Sequence, residues 1–249
     1  ELIPEGEESY NHTARVVDVG PDNKLYISLG QPYNVAPRAK LDLYKKTGIG
    51  GIIRMDRDGK NREVYTYGVR NSVGQDFHPV TGELWWTDNQ VDGMGDDIPA
   101  GELNRQTKAG QHFGHPWFGG GKTRVKDEGY DKDTPPAGIV HPAVETTAHC
   151  ADLGMAFYTG NQFPSKYKNA IFSAQHGSWN RTEPCGARVM VTFIGKDGKA
   201  KMEPFAEGWL NGNKEYDGRP MSITMMKDGS MLVSDDYAGA IYKISYVGS

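Results

Sequence analysis

Four times along this chain a polar turn leads into a short run of β-branched and aromatic residues, and that recurrence restricts the fold more than any other feature. The runs are Asp22-Asn23-Lys24-Leu25-Tyr26-Ile27-Ser28, Gly82-Glu83-Leu84-Trp85-Trp86-Thr87-Asp88, Tyr167-Lys168-Asn169-Ala170-Ile171-Phe172-Ser173 and Asp228-Gly229-Ser230-Met231-Leu232-Val233-Ser234-Asp235. Each reads as a turn followed by a strand. Leu25 and Leu84 lie 59 positions apart and Ile171 and Leu232 lie 61 apart, whereas Leu84 and Ile171 are separated by 87. One insertion of about 26 residues in the middle interval restores the period.

Further strands follow in the units, at Ile52-Ile53-Arg54-Met55, Val189-Met190-Val191-Thr192-Phe193-Ile194 and Ile241-Tyr242-Lys243-Ile244, and two of these end in the turns Asp58-Gly59 and Asp197-Gly198. Hairpins of short strands repeating in this way predict the blades of a β-propeller, about four of them here. With 32 Gly and 14 Pro among 249 residues, no convincing helical period survives for long, so an almost all-β chain is expected. The first unit begins almost at its second strand. The whole chain, 1–249, is therefore expected to be one propeller domain lacking N-terminal blades and outer strands of its first unit. The long interval predicts a loop insertion over 91–144, ordered by His112-Phe113-Gly114-His115-Pro116-Trp117-Phe118 and lying across one mouth of the propeller.

Charge narrows the partners. With 28 Lys+Arg against 32 Asp+Glu, the net charge of −4 leaves no basic surplus for a nucleic acid or an anionic membrane surface. No apolar run approaches the roughly 18 residues that cross a bilayer. The start, Glu1-Leu2-Ile3-Pro4, has neither an initiator Met nor a charged and apolar leader, which reads as a processed or incomplete chain. Cys150 and Cys185 can close one bridge, worth about 3 kcal/mol for a loop of that size, or remain two buried thiols.

The sequence contains no G-x-S-x-G elbow, no H-E-x-x-H and no P-loop. The acidic segment Asp88-Asn89-Gln90-Val91-Asp92-Gly93-Met94-Gly95-Asp96-Asp97 offers hard oxygen ligands at turn spacing, suited to Ca²⁺, but it departs from an EF-hand at Pro99, and a solvated acidic turn is equally compatible. Arg70 and Asn71 sit between glycines in Gly68-Val69-Arg70-Asn71-Ser72-Val73-Gly74. They can grip a planar anionic ligand, although an Arg in such a turn also fits a structural role. His12 and His176 both fall beside expected strand ends, where a histidine serves as a proton shuttle or simply as a structural residue. Asn11-His12-Thr13 and Asn180-Arg181-Thr182 match the N-glycosylation pattern.

Taken in order, these motifs resemble one family. Gly68 to Gly74, His78-Pro79-Val80-Thr81-Gly82-Glu83-Leu84-Trp85-Trp86-Thr87-Asp88-Asn89, Gly95 to Arg105, His176-Gly177-Ser178-Trp179-Asn180-Arg181, Gly218-Arg219-Pro220 and Val233 to Tyr242 resemble the soluble quinoprotein sugar dehydrogenases, in particular their sorbosone dehydrogenase-like branch. The resemblance implies a six-bladed propeller in the intact fold, of which about four blades are present, with pyrroloquinoline quinone and Ca²⁺ on one face. It implies an oxidoreductase that oxidises a small sugar or sugar aldehyde, an aldose or sorbosone, by hydride transfer to the quinone. His12 matches the general base, Arg70, Asn71 and Arg219 match quinone contacts, and His176, standing where the glucose-oxidising members have a Lys, is expected to contact the quinone with them. Val73 replaces a Gln of those members. The metal is expected at Gly95, Asp96 and Asp97. An electron acceptor such as a cytochrome c or a quinone, and a periplasmic or secreted location, follow from the same resemblance, and export favours the Cys150–Cys185 bridge. A non-catalytic or lactonase-like propeller that keeps the scaffold is the alternative.

Overall fold

Each sequence repeat folds into its own antiparallel sheet in the computed structural model, which describes residues 2–248. The first sheet is a meander of β1 (Val17–Val19), β2 (Leu25–Leu29), β3 (Gly51–Met55) and β4 (Glu63–Tyr67). The second begins with β5 (Gly74–Phe77), β6 (Leu84–Asp88) and β7 (Gly101–Gln106). After an excursion carrying β8 (Gln111–His112), β9 (Phe118–Gly120) and β10 (Thr123–Arg124), it is completed by β11 (Val144–Thr146). The third contains β12 (Asp152–Phe157), β13 (Ile171–Gln175), β14 (Arg188–Ile194) and β15 (Ala200–Ala206), and the last contains β16 (Pro220–Met225), β17 (Met231–Asp235) and β18 (Ala240–Ile244). These sheets are successive blades of a β-propeller. Helix is confined to α1 (Leu41–Thr47) and three short 3-10 turns among the described residues.

The second strand of a blade explains why its sequence is so apolar. Alternate residues of a strand face opposite sides of the sheet, and a blade has a neighbour on each side. On β6, Trp86 packs with Tyr26 and Ile52 of the first blade, while Trp85 packs with Met155, Phe157 and Ile171 of the third. Both indoles are fully buried. The third and fourth blades meet in the same way through Phe172, Val191, Ile223 and Val233. The core therefore lies between blades, and its aromatic pairs are mostly edge-to-face, as Trp86 and Phe113 are at 4.4 Å. Around the axis, first strands approach closely because glycine stands at the crossing points. A Cβ on Gly74 would lie 2.2 Å from the Leu153 carbonyl oxygen, and one on Gly154 would lie 2.6 Å from Ser222 Cα.

Two expectations need correction. The first unit has its full complement of four strands, because Val17–Val19 forms a short first strand and β3 and β4 supply the outer ones; the three-stranded blade is the last. The stretch 91–144 is not one loop. Residues 101–106 form β7, paired along its length with β6, so the excursions are separately 89–100 and 107–143. The second excursion runs beside the first blade, with β8 parallel to β4.

Strand alternation sends the loops that follow β2, β6, β13 and β17, and the segments that enter β5, β12 and β16, to the same end of the sheets. That end holds His12, residues 30–50, 68–73, 89–100, 147–151, 176–187 and 207–219.

Candidate functional site

The turn between β4 and β5 is shaped by the last residue of β6. Asp88 Oδ2 accepts the backbone N–H of Arg70 at 2.9 Å and Oδ1 accepts that of Asn71 at 2.7 Å. The carboxylate is buried, and burial pushes its pKa up while these two N–H donors and the Arg70 charge oppose the rise. Arg70, only 5% exposed, commits four of its five N–H groups. They go to the carbonyl and side-chain oxygens of Asn34, the Asn89 carbonyl and the Asp92 carboxylate at 3.1 Å. The guanidinium thus ties three loops together and keeps one N–H free. Asn71 differs. Its carboxamide makes no hydrogen bond among the described residues, and its buried Oδ1 has no partner.

His12 stands beside Asn71, since a Cβ on Gly30 would meet Asn71 Oδ1 at 2.6 Å and His12 Cβ at 2.8 Å. The His12 ring pairs through Nδ1 with the Gln31 carbonyl oxygen. A carbonyl only accepts, so Nδ1 carries the hydrogen and Nε2 is left as the acceptor of the neutral ring. Burial lowers the His12 pKa below its ordinary 6.5 and the Arg70 charge lowers it further, against the Gln31 bond and Asp92. At neutral pH the ring is a free base.

His12, Arg70, Asn71 and Asp92 line one cleft of about 220 Å³ together with residues from the third blade: His149, Ala151, Leu153, Trp179 and Asn180. Asn180 Nδ2 donates to Asp92 Oδ1 at 2.9 Å, which connects the two sides. The sequence motifs give no role to His149 or Trp179, and Asn180, which stands in an N-glycosylation pattern, is here bound to Asp92. Asp92, in the acidic segment that offers oxygen ligands to Ca²⁺, instead pairs with Arg70 and Asn180.

Arg219 and His176 lie at the same end but do not line this cleft. Arg219 Nε donates to the His176 carbonyl at 3.0 Å, and its Nη2 donates to those of Gly177 and Ser178 at 2.7 and 2.9 Å. His176 Nε2 pairs with Asp236 Oδ1 at 2.7 Å. Both side chains hold the turn 176–178. Cys150 and Cys185 form a disulfide with Cα atoms 5.4 Å apart, joining that loop to the turn 147–151. On either side of Cys150, His149 and Ala151 have φ of 62° and 56°, a left-handed conformation that costs on the order of 1 kcal/mol or more per residue.

Gly95, Asp96 and Asp97 do not fit a metal. The Asp96 carbonyl accepts from the Arg181 guanidinium, Asp97 pairs with the same guanidinium at 3.3 Å while 91% exposed on its side chain, and Asp96 Oδ2 accepts the Thr182 N–H at 3.0 Å. The Gly95 carbonyl accepts from His149 at 2.8 Å. A guanidinium occupies the position a cation would need, and among the described residues no three His, Cys, Asp or Glu side chains gather as a cage. This loop fastens residues 95–98 to the third blade.

The fold is shared with solved structures of low sequence identity. The pyranose dehydrogenase quinone domain of Coprinopsis cinerea, in its holo form with pyrroloquinoline quinone, aligns with 96% of this chain and 71% of its own, at TM-score 0.70 and 20% identity. A Trichoderma reesei carbohydrate-active enzyme of family AA12, described as a calcium structure, aligns with 95% of this chain and 69% of its own at TM-score 0.71 and 20% identity. The soluble aldose sugar dehydrogenase of Escherichia coli, in apo form, gives TM-score 0.62 at 20% identity over 88% of this chain and 60% of its own. A protein of Borreliella burgdorferi described as uncharacterized is 37% identical over 251 residues, covering 98% of this chain, which spans 63% of that relative's length. The glucose/sorbosone dehydrogenase profile matches residues 3–178, and with that match the chain belongs to the glucose/sorbosone dehydrogenase family.

Proposed function

We propose that this chain carries the sugar-oxidising site of a quinoprotein dehydrogenase, with His12 as general base. The observation that carries the reading is the His12 ring, half-buried in the cleft with its tautomer pinned by Gln31 and its pKa lowered. A sugar hydroxyl in the cleft gives its proton to His12 Nε2, and the resulting imidazolium is stabilised by Asp92 and by the Gln31 carbonyl. Proton transfer of this kind contributes about 10²–10⁴-fold in rate.

The residues present fit a quinone. The uncommitted Asn71 carboxamide and the remaining Arg70 N–H are donors facing a polar cleft, and the buried Oδ1 atoms of Asn71 and Asn180 have no partner among the described residues. Pyrroloquinoline quinone, when bound, supplies the electrophilic carbon that takes the hydride. Asn71 and Arg70 would hold it, and Arg219 and His176 would act from a distance by fixing the turn 176–178. No step is assigned to calcium, because Gly95, Asp96 and Asp97 do not fit it.

The same reading includes an aldose or sorbosone as substrate, a cytochrome c or quinone as final acceptor, and a periplasmic or secreted location, where the Cys150–Cys185 disulfide would persist. The alternative of a non-catalytic or lactonase-like propeller has no observation in its favour. The test is reconstitution: the protein carrying this chain, supplied with the quinone, is expected to reduce an artificial dye in the presence of an aldose or a keto-aldehyde. Quinone binding without dye reduction across such a panel would remove the proposal.

A further inference from the structure

Behind the turn that carries Arg70 lies a second cavity, of about 460 Å³, within the range of about 300–1,000 Å³ typical of small-molecule sites. It opens between α1, the first blade and the excursion 107–143, and its walls are mostly apolar: Leu41, Tyr44, Ile49, Val69, Pro116 and Trp117. Residues three and four apart on a helix share a face, so Leu41, Tyr44 and Lys45 of α1 reach it together. The opposite wall comes from the segment His112 to Phe118, which the sequence marks only as ordering its loop.

The polar atoms of this cavity are unevenly paired. His112 Nδ1 accepts the Gly114 N–H at 3.1 Å. The hydrogen of the neutral ring is therefore on Nε2, and that N–H has no acceptor among the described residues. Burial and the Lys45 charge push the His112 pKa down to about 4, so the ring is neutral at pH 7. His115 Nε2 accepts the Ala36 N–H at 3.4 Å, which leaves the hydrogen on a buried Nδ1 with no partner among the described residues. Lys45 makes no ion pair among them. Asp42 also lines the cavity, but the charge that acts on His112 is that of Lys45. Donors without acceptors in an apolar enclosure carry a desolvation cost that an acceptor on a ligand removes.

We infer that this cavity is a binding site for a flat aromatic carboxylate, separate from the cleft of His12. The rings lie against Tyr44 and Trp117, and the carboxylate accepts from Lys45 and the His112 N–H. Trp117 already meets His112 edge-to-face at 5.7 Å, which sets an aromatic surface beside the donor. A neutral hydrocarbon would leave the donors unpaired, and a sugar would bury its hydroxyls against apolar walls. The cavity shares a wall with the cleft: Gln31 lines the cavity while its carbonyl holds His12, and Val69 lines it next to Arg70.

The test is calorimetric titration of the protein carrying this chain, free of quinone, with naphthoate and with its uncharged amide, naphthamide. Naphthoate is expected to bind about tenfold more tightly than naphthamide, the scale of one charge-assisted hydrogen bond. His112→Asn keeps an acceptor for the Gly114 N–H and removes the Nε2 donor, and Lys45→Gln removes the charge from an exposed position. Each is expected to weaken naphthoate about three- to tenfold, and Lys45→Gln to leave naphthamide unchanged. Saturating pyrroloquinoline quinone is expected to leave the naphthoate affinity as it was. No saturable binding at about 1 mM naphthoate, equal affinities for the two compounds, or wild-type affinity in both variants overturns the inference. Displacement of naphthoate by the quinone overturns it as well, because the probe would then sit in the cleft of His12. None of these results bears on sugar oxidation, which the quinone-free protein does not perform.

Discussion

Two histidines at the same end of this propeller, His12 and His176, look alike in sequence and differ in what surrounds them. His12 is held by a backbone carbonyl through one nitrogen and lines the cleft with the other left as an acceptor. His176 meets the Asp236 carboxylate and stands on a turn whose carbonyls are gripped by Arg219. The arginines divide differently. Arg70 and Arg219 both bind backbone oxygens, but Arg70 lines the cleft beside an uncommitted Asn71, whereas Arg219 faces the ring of Tyr216 at 4.6 Å and three carbonyls. Position separates the pairs: His12 and Arg70 line the cleft, whereas His176 and Arg219 stand outside it and bind at the turn 176–178.

His12→Ala gives the largest expected separation of the two regions. In the reconstituted enzyme kcat is expected to fall by about 10²–10⁴-fold with quinone affinity nearly unchanged, while His176→Ala is expected to cost about threefold or less. Steady-state dye reduction and quinone titration measure both. Equal losses in the two variants would erase the distinction drawn here.

Arg219→Ala comes next, and its effect is structural. Three backbone carbonyls lose a charged donor, and bonds of that kind are worth about 1.5–3 kcal/mol together with their desolvation. For a protein of this size each kcal/mol moves Tm by about 2–4 °C. A Tm lower by about 5 °C with kcat within about threefold of wild type is expected by calorimetry and kinetics. A collapse of kcat at unchanged Tm would instead place Arg219 in the chemistry.

The pH profile sharpens the role of His12. Burial and Arg70 favour the neutral ring, so the base is already free at a pH where an ordinary histidine is half protonated. The acid limb of kcat/KM is expected to have its midpoint below 6.5, the ordinary histidine value. Activity rises as pH climbs through that midpoint and is then flat to neutral pH. A limb centred above 6.5 contradicts the desolvated environment.

The blades were legible in the sequence because a strand buried on both sides must be apolar along its whole length, as Leu84-Trp85-Trp86 is. The family was legible because its motifs lie in the turns between those strands. The count of strands in the first blade was not, since β1 has only three residues and two of them are exposed, leaving little apolar signal. Nor was the division of 91–144, where Gly101-Glu102-Leu103-Asn104-Arg105-Gln106 is polar in sequence yet almost entirely buried as β7. There Asn104 Nδ2 donates to Glu102 Oε2, and Glu102 Oε1 accepts the Gly121 N–H. Acidic residues at 95–97 suggested a cation, but spacing alone does not reveal that Arg181, more than eighty positions away, reaches the same loop. The placing of His12, Arg70 and Asn71 in one cleft came from the resemblance; the pinned tautomer and the exposed Trp179 required the fold.

The one expected effect with no bearing on activity lies on β1, away from the cleft. Asp18 on β1 has a buried Oδ2 with no partner among the described residues, and burial, with Asp76 nearby, raises its pKa to about 6 from an ordinary 3.8. The unfolded chain therefore releases this proton first. The favourable contribution of Asp18 is complete below pH 3.8, is lost as pH rises towards 6, and leaves a constant cost above it. Asp18→Asn removes the titration and keeps the shape. Relative to wild type, the variant is expected to gain up to about 5–10 °C in Tm on going from pH 4 to pH 7. A Tm difference that does not change with pH would mean that Asp18 is hydrated in the folded protein and titrates as it does in the unfolded chain.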